Sequence, residues 1–396
     1  MSPRIRLLVA LVSTGLIGYL AVGSLLARVL GDTSYGQLSI FNEVIRLVLD
    51  AYVDPVDVSR AMSGARLGMT DALDGDSAYL DAEQFKRYLK PATEQDADIG
   101  VVLTRRFAFL MVVAARPGSP AEEAGLRTGD LIKSIDGRHT RPLPAVVGQW
   151  LLRGAPGSTV TLDILRAGAD PFEVSVIRER ILPTPPDGHM LDQTTGFLRV
   201  VEFTPDTGDE LRTKIEILKR DGASRMVLDL RDAAWGEPAD AAPVAELFMQ
   251  GGLVATRVGR RVNETTLEAD AARTAWSGPL VVLVDSGTAG PGEIVAGALA
   301  DTAGVPLVGE HTFGRAAESS PVALPTGGLV LTVAKYMSPA GLSIHGTGLE
   351  PSVPVAAESD EEAGDEEGPE ALMPTDLILE KALEVLDAPA EEKAAA

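Results

Sequence analysis

Apolar and polar positions recur with different periods in successive parts of the chain. In residues 35–90 apolar side chains lie three and four positions apart, as at Phe41, Val44 and Val48, which predicts helices. From 99 to 182, short runs rich in β-branched residues lie between Gly, Pro and Asp and are interrupted by the helical stretches PAEEAG and PAVVGQWLLRG. The pattern predicts a helical region followed by a small β-rich module.

The pattern changes again at Thr195. Strand and helix segments alternate as far as about Val355, and the run LVVLV at 280–284 is apolar at every position. A continuous apolar strand is typical of a sheet that is covered on both faces. We therefore expect an α/β core here, and the amphipathic run TDLILEKALEVL predicts one more helix near the C-terminus.

The N-terminus carries the longest apolar run. Residues 7–27 are uncharged and mostly apolar, and about 21 residues at roughly 1.5 Å each just span a bilayer core. Arg4 and Arg6 precede the run and favour a cytoplasmic N-terminus, which predicts a single-pass inner-membrane anchor with the bulk on the periplasmic or extracytoplasmic side. The alternative is a cleaved signal peptide, because AVGSLLA supplies small residues near its end.

Composition excludes several kinds of partner and chemistry. The 396 residues carry a formal net charge of -22, which argues against nucleic acid, since phosphate binding depends on Lys and Arg. Residues 357–371 hold eight acidic and no basic side chains and predict a solvated linker. Without cysteine, and with four scattered histidines, we expect no disulfide, no thiolate, no metal site and no cofactor.

Several motifs resemble one family over residues 35–356, in the family's own order. AARPGSPAEEAGLRTGDLIKSIDGR resembles the core of a PDZ domain, and FNEVIRLVLDAYVDP with DALDGDSAYLDAEQF resembles the helical N-terminal region of the C-terminal processing (tail-specific) serine peptidases. MVLDLR, LVVLVDSGTAGPGEIVAGAL, LVGEHTFG and VAKYMSPAGLSIHGTGLEPSV resemble the core of the same family.

The resemblance implies a multidomain α+β protein. The expected parts are a transmembrane anchor or signal segment at 1–30, a helical region at 35–95, a PDZ domain at 96–182, an α/β core of the tail-specific protease, crotonase-like type at 183–356, the acidic linker at 357–371, and a C-terminal helix and tail at 372–396.

The family's catalytic residues do not recur at the matching positions. The family uses a serine nucleophile at a helix N-terminus, a lysine base and a nearby glutamine, and the resemblance puts Gly290, Arg315 and Ser319 at these positions. Glycine cannot form an acyl-enzyme. A guanidinium with a pKa above about 12 cannot accept the proton that a desolvated lysine accepts.

The expected oxyanion hole is altered as well. The resemblance assigns one donor to the N–H after the nucleophile, which here is Pro291 and has none. The other donor segment has Trp235 where the family has a small residue. On the residues alone, GPGEIVAGAL is also an ordinary helix start, with Gly290 as N-cap, Pro291 at the first position and Glu293 in the first turn. The sequence thus predicts a family member without the catalytic dyad.

Two alternatives stay open at this stage. A relocated nucleophile, Ser286 or Thr288, would make the chain an active serine-type endopeptidase, since triads are defined by geometry rather than by order. Its conceivable partners are His311, His345, Asp285 and Lys335. A purely structural assembly subunit is the third possibility.

The PDZ-like segment predicts a peptide-binding groove. Such a fold adds an extended peptide to a sheet edge and holds its carboxylate with backbone N–H groups. We expect the amides of Ile99, Gly100 and Val101 to hold the carboxylate, and Val102 and Val147 to line the side-chain pocket. The expected partners are protein C-termini or peptides, an active peptidase relative, or a second copy of the chain. The alternative is a groove that the protein's own chain occupies, or one that acts only as a spacer.

Overall fold

The computed structural model describes residues 36–90, 97–355 and 376–388. The expected anchor or signal segment at 1–30 and the acidic linker at 357–371 lie outside the described residues. Across the three described ranges, every helix falls short of the length and apolar character that a membrane span requires. The chain divides into two compact units, one up to Ala65 and the other from Arg66 onward.

The chain alternates helices and strands. The helices are α1 (36–51), α2 (Val58–Asp71), α3 (Ala82–Tyr88), α4 (Pro120–Glu123), α5 (Ala145–Leu152), α6 (Thr207–Arg220), α7 (Ala242–Ala245), α8 (Pro291–Ala303) and α9 (Leu377–Asp387). The strands up to the core are β1 (Ala78–Leu80), β2 (Val101–Arg106), β3 (Phe109–Ala115), β4 (Leu131–Ile135), β5 (Arg138–His139), β6 (Thr159–Leu165) and β7 (Phe172–Ile177). Those of the core are β8 (Asp187–Met190), β9 (Thr195–Arg199), β10 (Glu202–Phe203), β11 (Arg225–Asp229), β12 (Trp235–Gly236), β13 (Gly252–Val258), β14 (Thr265–Ala269), β15 (Leu280–Val284), β16 (Leu307–Gly309), β17 (Ala317–Leu324), β18 (Gly327–Met337) and β19 (Val353–Pro354).

The predicted β-rich module is an antiparallel sheet in the order β2-β3-β4-β6-β7, with β5 paired to β4. Its inward side chains, among them Leu110, Ile132 and Leu162, are fully buried in one cluster. Among the described strands β2 pairs with β3 alone, and α5 lies along its other edge, where the Arg105 N–H donates to Gly75 O at 3.2 Å. The part of this edge before Arg105 lies beside a helix, which is the geometry that a strand-adding groove needs.

The predicted α/β core is a sheet in the order β19-β16-β15-β11-β9-β8, parallel except for β8. All five residues of β15 are buried, as its continuous apolar run predicts. One face packs against α6, α7 and α8, and the other face packs against the predicted C-terminal helix α9. The carboxyl ends of β11 and β15 therefore lead into the loops that build the site.

A second sheet, in the order β1-β18-β13-β14, lies beside this core, and β17 pairs with β18. The sequence reading did not separate β13, β14 and β17 from the loops around them. Strand β17 places Ser319 opposite Thr332, and the loop before this strand carries Arg315.

Candidate functional site

The turn between β15 and α8 has the predicted helix start. Gly290 is the N-cap of α8, and Pro291 occupies the first helical position. The backbone of Gly290 has φ 57 and ψ -116, a region that glycine adopts far more easily than other residues. A Cβ placed on Gly290 would meet no atom within 4 Å, so the space for a side chain at this position is open.

The buried carboxylate of Glu293 joins this turn to the loop that carries Arg315. Its Oε2 accepts the N–H groups of Gly290, at 3.0 Å, and Arg315, at 2.7 Å. Its Oε1 accepts the Thr312 hydroxyl and the Gly314 N–H, both at 2.6 Å. Burial raises the pKa of Glu293 to about 6, against these four hydrogen bonds, which lower it. The positions of the family's nucleophile and base thus lie on either side of one carboxylate.

The side chain of Arg315 points to an acidic partner. Its Nε donates to Asp76 Oδ2 at 2.8 Å. Burial lowers the pKa of the Arg315 guanidinium, but the charge and hydrogen bond of Asp76 outweigh burial, and the pKa lies above its ordinary value. Arg315 is therefore a fixed cation, and Ser319, an exposed residue on β17, lines the same cavity.

Trp235 lies where the β-rich module meets the core. Its ring packs in a cluster with Val102 and Val113 of the module and Ala289 of the core. The guanidinium of Arg116 lies 4.7 Å from the centre of the ring, and Arg116 Nη1 donates to Glu202 Oε2 at 2.7 Å. The bulky indole thus fills space between the two parts and helps to fix one against the other.

A single cavity of about 520 Å³ connects the groove with Trp235, Arg315 and Ser319. The groove contributes Gly100, Val101 and Leu103 from the β2 side and Ala145, Val146, Gln149 and Arg153 from the α5 side. The loop before β1 contributes Asp76, and the core contributes Trp235, Arg315 and Ser319. An extended peptide on the β2 edge would therefore lie next to the position of the family's base.

The residues predicted to line the groove lie in different places. Gly100, Val101 and Val102 line the cavity. Ile99 is fully buried, and its N–H donates to the side chain of Asp98 at 2.7 Å, so this amide is already engaged.

Val147, which was expected to line the side-chain pocket, is not among the residues that line this cavity. Its side chain is 5% exposed and packs with Leu80 and Phe85. Its neighbours on α5, Ala145 and Val146, line the cavity instead. Adjacent residues on a helix point about 100° apart, and the periodicity of this short, apolar helix does not show which side faces the groove.

The proposed alternative nucleophiles lie elsewhere. Thr288 is fully buried, and its hydroxyl is 2.8 Å from Leu230 O and 2.9 Å from Asp285 Oδ1. Ser286 is exposed and lines a different cavity of about 530 Å³, together with Asp232 and Asp285. Neither hydroxyl lies in the cavity that contains Arg315.

Of their conceivable partners, Asp285 lies beside Thr288 and Ser286, whereas His311, His345 and Lys335 have other contacts. Lys335 Nζ donates to Ser343 Oγ at 3.0 Å and lies in a third cavity with His345. Burial lowers the pKa of His345, whose Nδ1 has no partner among the described residues. His311 Nδ1 is 2.8 Å from Thr312 O. The described ranges contain no cluster of three or more His, Asp or Glu side chains that could hold a metal ion.

Sequence reasoning missed the charged and amide side chains of the cavity. Asp98, Arg116, Gln149 and Arg153 all line it, and none was among the predicted site residues. The one available signal was the position of Asp98, directly before the amides that were expected to hold a carboxylate.

A β-rich module docked on an α/β core with a helix-capping turn is the arrangement of PDZ-containing serine peptidase folds. The description of peptidase family S41 matches residues 194–355, and that of a PDZ domain matches residues 111–166. The carboxy-terminal processing protease CtpA of Bacillus subtilis is 31% identical over 326 residues, which cover 82% of this chain and 69% of the relative. The carboxy-terminal-processing protease of Bartonella bacilliformis is 31% identical over 333 residues, covering 82% and 76%.

Structural comparison agrees with these relatives. The photosystem II D1 C-terminal processing protease superposes with a TM-score of 0.68 at 25% identity, covering 80% of this chain and 86% of that one. The chain belongs to peptidase family S41 and is homologous to the carboxy-terminal processing proteases.

Proposed function

We propose that this chain is a non-catalytic member of its family that binds protein C-termini or other extended peptide segments in its PDZ groove. The observation that carries the proposal is the cavity that the groove shares with Arg315, which stands at the position of the base. Gly290 and Pro291, at the start of α8, stand at the positions of the nucleophile and of one oxyanion donor. Its relatives bear the name of processing proteases, which supports peptide handling as the common task.

The chemistry of the turn supports the lack of catalysis. Gly290 offers no atom that could attack a carbonyl, and the N–H of Pro291 is missing. Arg315 is paired with Asp76, which stabilises its charged form. Loss of one oxyanion donor alone costs about 3 kcal/mol of transition-state stabilisation, and nucleophile and base act as a unit with it.

Labelling with a fluorophosphonate probe tests the proposal. The purified full chain should show no covalent labelling and no trimming of an unstructured C-terminal peptide, beside an active relative such as the Bacillus subtilis protease as positive control. Labelling or trimming that disappears in Ser286→Ala or Thr288→Ala would instead establish a relocated nucleophile and overturn the proposal.

We also propose that residues 7–27 anchor the chain in the inner membrane with its bulk on the periplasmic or extracytoplasmic side. The support is the length of the uncharged run and the two arginines before it. A groove on that side would meet the segments of other envelope proteins.

A further inference from the structure

The end of the groove nearest Gly100 holds a carboxylate of the protein itself. Asp98 precedes β2, and its backbone exchanges two hydrogen bonds with Glu179, at 2.8 and 2.9 Å. Its side chain is 18% exposed. Oδ1 accepts the Ile99 N–H at 2.7 Å, and Oδ2 lies 3.3 Å from Arg153 Nε and 3.4 Å from Gln149 Nε2.

These donors are the kind that a ligand carboxylate would need. Capture of a chain terminus by this type of fold uses backbone N–H groups at the end of the groove. Here one such N–H, a guanidinium and an amide already converge on the carboxylate of Asp98. The backbone of Asp98 forms an antiparallel bridge with Glu179, which follows β7 in the chain. Because this bridge fixes the backbone, the side chain is held in place and is not a freely moving surface group.

A second contact closes the same end. Gln149 Nε2 donates to Val101 O at 3.0 Å, across the groove from α5 to the edge of β2. An extended ligand that pairs with β2 from its first residue needs this carbonyl as an acceptor. Leu103, the next outward position on this edge, still lines the cavity, and the edge ends at Arg105, whose N–H donates to Gly75 O at 3.2 Å.

Resting on the proposed function, we propose that Asp98 determines the ligand class of this groove. Its carboxylate occupies the place of a ligand's terminal carboxylate, so the groove rejects free C-termini and takes extended internal segments of proteins. A second carboxylate beside Asp98 would meet like charge in a partly buried place and would have to compete for the same donors. An internal segment brings no such charge and needs only the strand edge and the apolar lining.

Binding of one peptide library in three forms tests the inference. Decapeptides of Ala, Val, Leu, Ser and Thr are presented to the full chain with a free C-terminal carboxylate, with a C-terminal amide, and embedded within a longer uncharged chain. We expect the amide and embedded forms to bind about equally and the free acids at least tenfold more weakly. In Asp98→Asn the affinity for the free acids should rise tenfold or more, while the affinity for the embedded form should change less than threefold.

Matched controls separate this inference from the proposed function. Asp221→Asn removes a carboxylate at the exposed C-cap of α6 and should leave the affinity for all three peptide forms unchanged. Ala145→Trp fills the groove and should abolish binding of every form. If wild type binds free acids as tightly as amides, and Asp98→Asn leaves that ratio unchanged, the role of Asp98 is overturned although the groove binds peptides. If wild type, Asp98→Asn and Asp98→Ala all fail to bind any form, the proposed function fails, and this inference fails with it.

Discussion

At the scale of single residues, the proposed loss of catalysis depends on the turn between β15 and α8 and on the loop of Arg315. Glu293 still holds the turn of Gly290 and the loop of Arg315 together through four hydrogen bonds. The open space at Gly290 means that a hydroxyl could be accommodated there, at the strain that a non-glycine residue incurs with φ 57. The missing parts can therefore be restored one at a time.

The order of repair is predictable. Gly290→Ser with Arg315→Lys should give almost no activity, because Pro291 leaves the oxyanion short of a donor and Asp76 would keep the new lysine charged. Adding Pro291→Ala should raise activity, and adding Asp76→Asn should raise it again by freeing the lysine to act as a base. Fluorophosphonate labelling and peptide trimming measure each step. Full activity in the first double variant would show that neither Pro291 nor Asp76 limits the site.

A second prediction concerns Asp232 and pH. Burial, and after it the neighbouring Asp285 carboxylate, raise the pKa of Asp232 to about 7, although Arg199 opposes the shift. The ordinary pKa is near 3.9, so between about pH 4 and 7 the folded state binds more protons than the unfolded state. The stability that this group contributes is complete below about pH 4 and is lost as the pH rises through 7.

Asp232→Asn should therefore stabilise the protein at pH 8 and make less difference at pH 5. Asparagine tolerates the φ of 56 that Asp232 adopts, so the backbone should be unchanged. Thermal unfolding at both pH values measures the effect, at about 2–4 °C for each kcal/mol. Asp221→Asn is the control for loss of one negative charge. An equal gain in thermal stability in both variants would show that burial and the Asp285 carboxylate are not the cause.

At the scale of elements, strong periodicity predicted most of the fold. The apolar run of β15, the helix start at Gly290 and the amphipathic helix α9 all follow from local pattern, because their burial is nearly uniform or strictly periodic. Strand β17 was missed, since most of its side chains are at least partly exposed and it is held by backbone pairing with β18. The side-chain contacts of Asp98 and Arg116 could not be predicted from the sequence either, because they join elements that are distant along the chain.

The packing of α9 on the central sheet gives a third prediction. Leu386 is 8% exposed and contacts the face formed by β11, β15 and β16, whereas Leu377 on the same helix is 40% exposed. Leu386→Asp buries a carboxylate without a partner and should lower the free energy of unfolding by about 2–4 kcal/mol. Leu377→Asp should change it by less than about 0.5 kcal/mol. Urea unfolding compares the two, and equal effects would mean that α9 adds no stability through this face.

At the scale of the whole molecule, the proposed task depends on where the groove is presented. Of the formal net charge of -22, eight negative charges lie in the linker at 357–371, so charge alone gives the folded parts no attraction for anionic lipid. Attachment to a membrane would then depend on the apolar residues 7–27, and its direction on the arginines before them.

A pair of topology reporters tests this directly. Alkaline phosphatase fused after Ala396 should be active and a green fluorescent protein at the same point dark, because both report a C-terminus outside the cytoplasm, and the fusion should stay with membranes in high salt. Replacing Arg4 and Arg6 with Asn leaves Arg28 as the nearest positive charge and should reduce phosphatase activity by weakening the orientation signal. Recovery of a soluble form that starts near Leu30 would show signal cleavage in place of an anchor. A fluorescent, phosphatase-negative fusion would place the groove in the cytoplasm and contradict the proposed orientation.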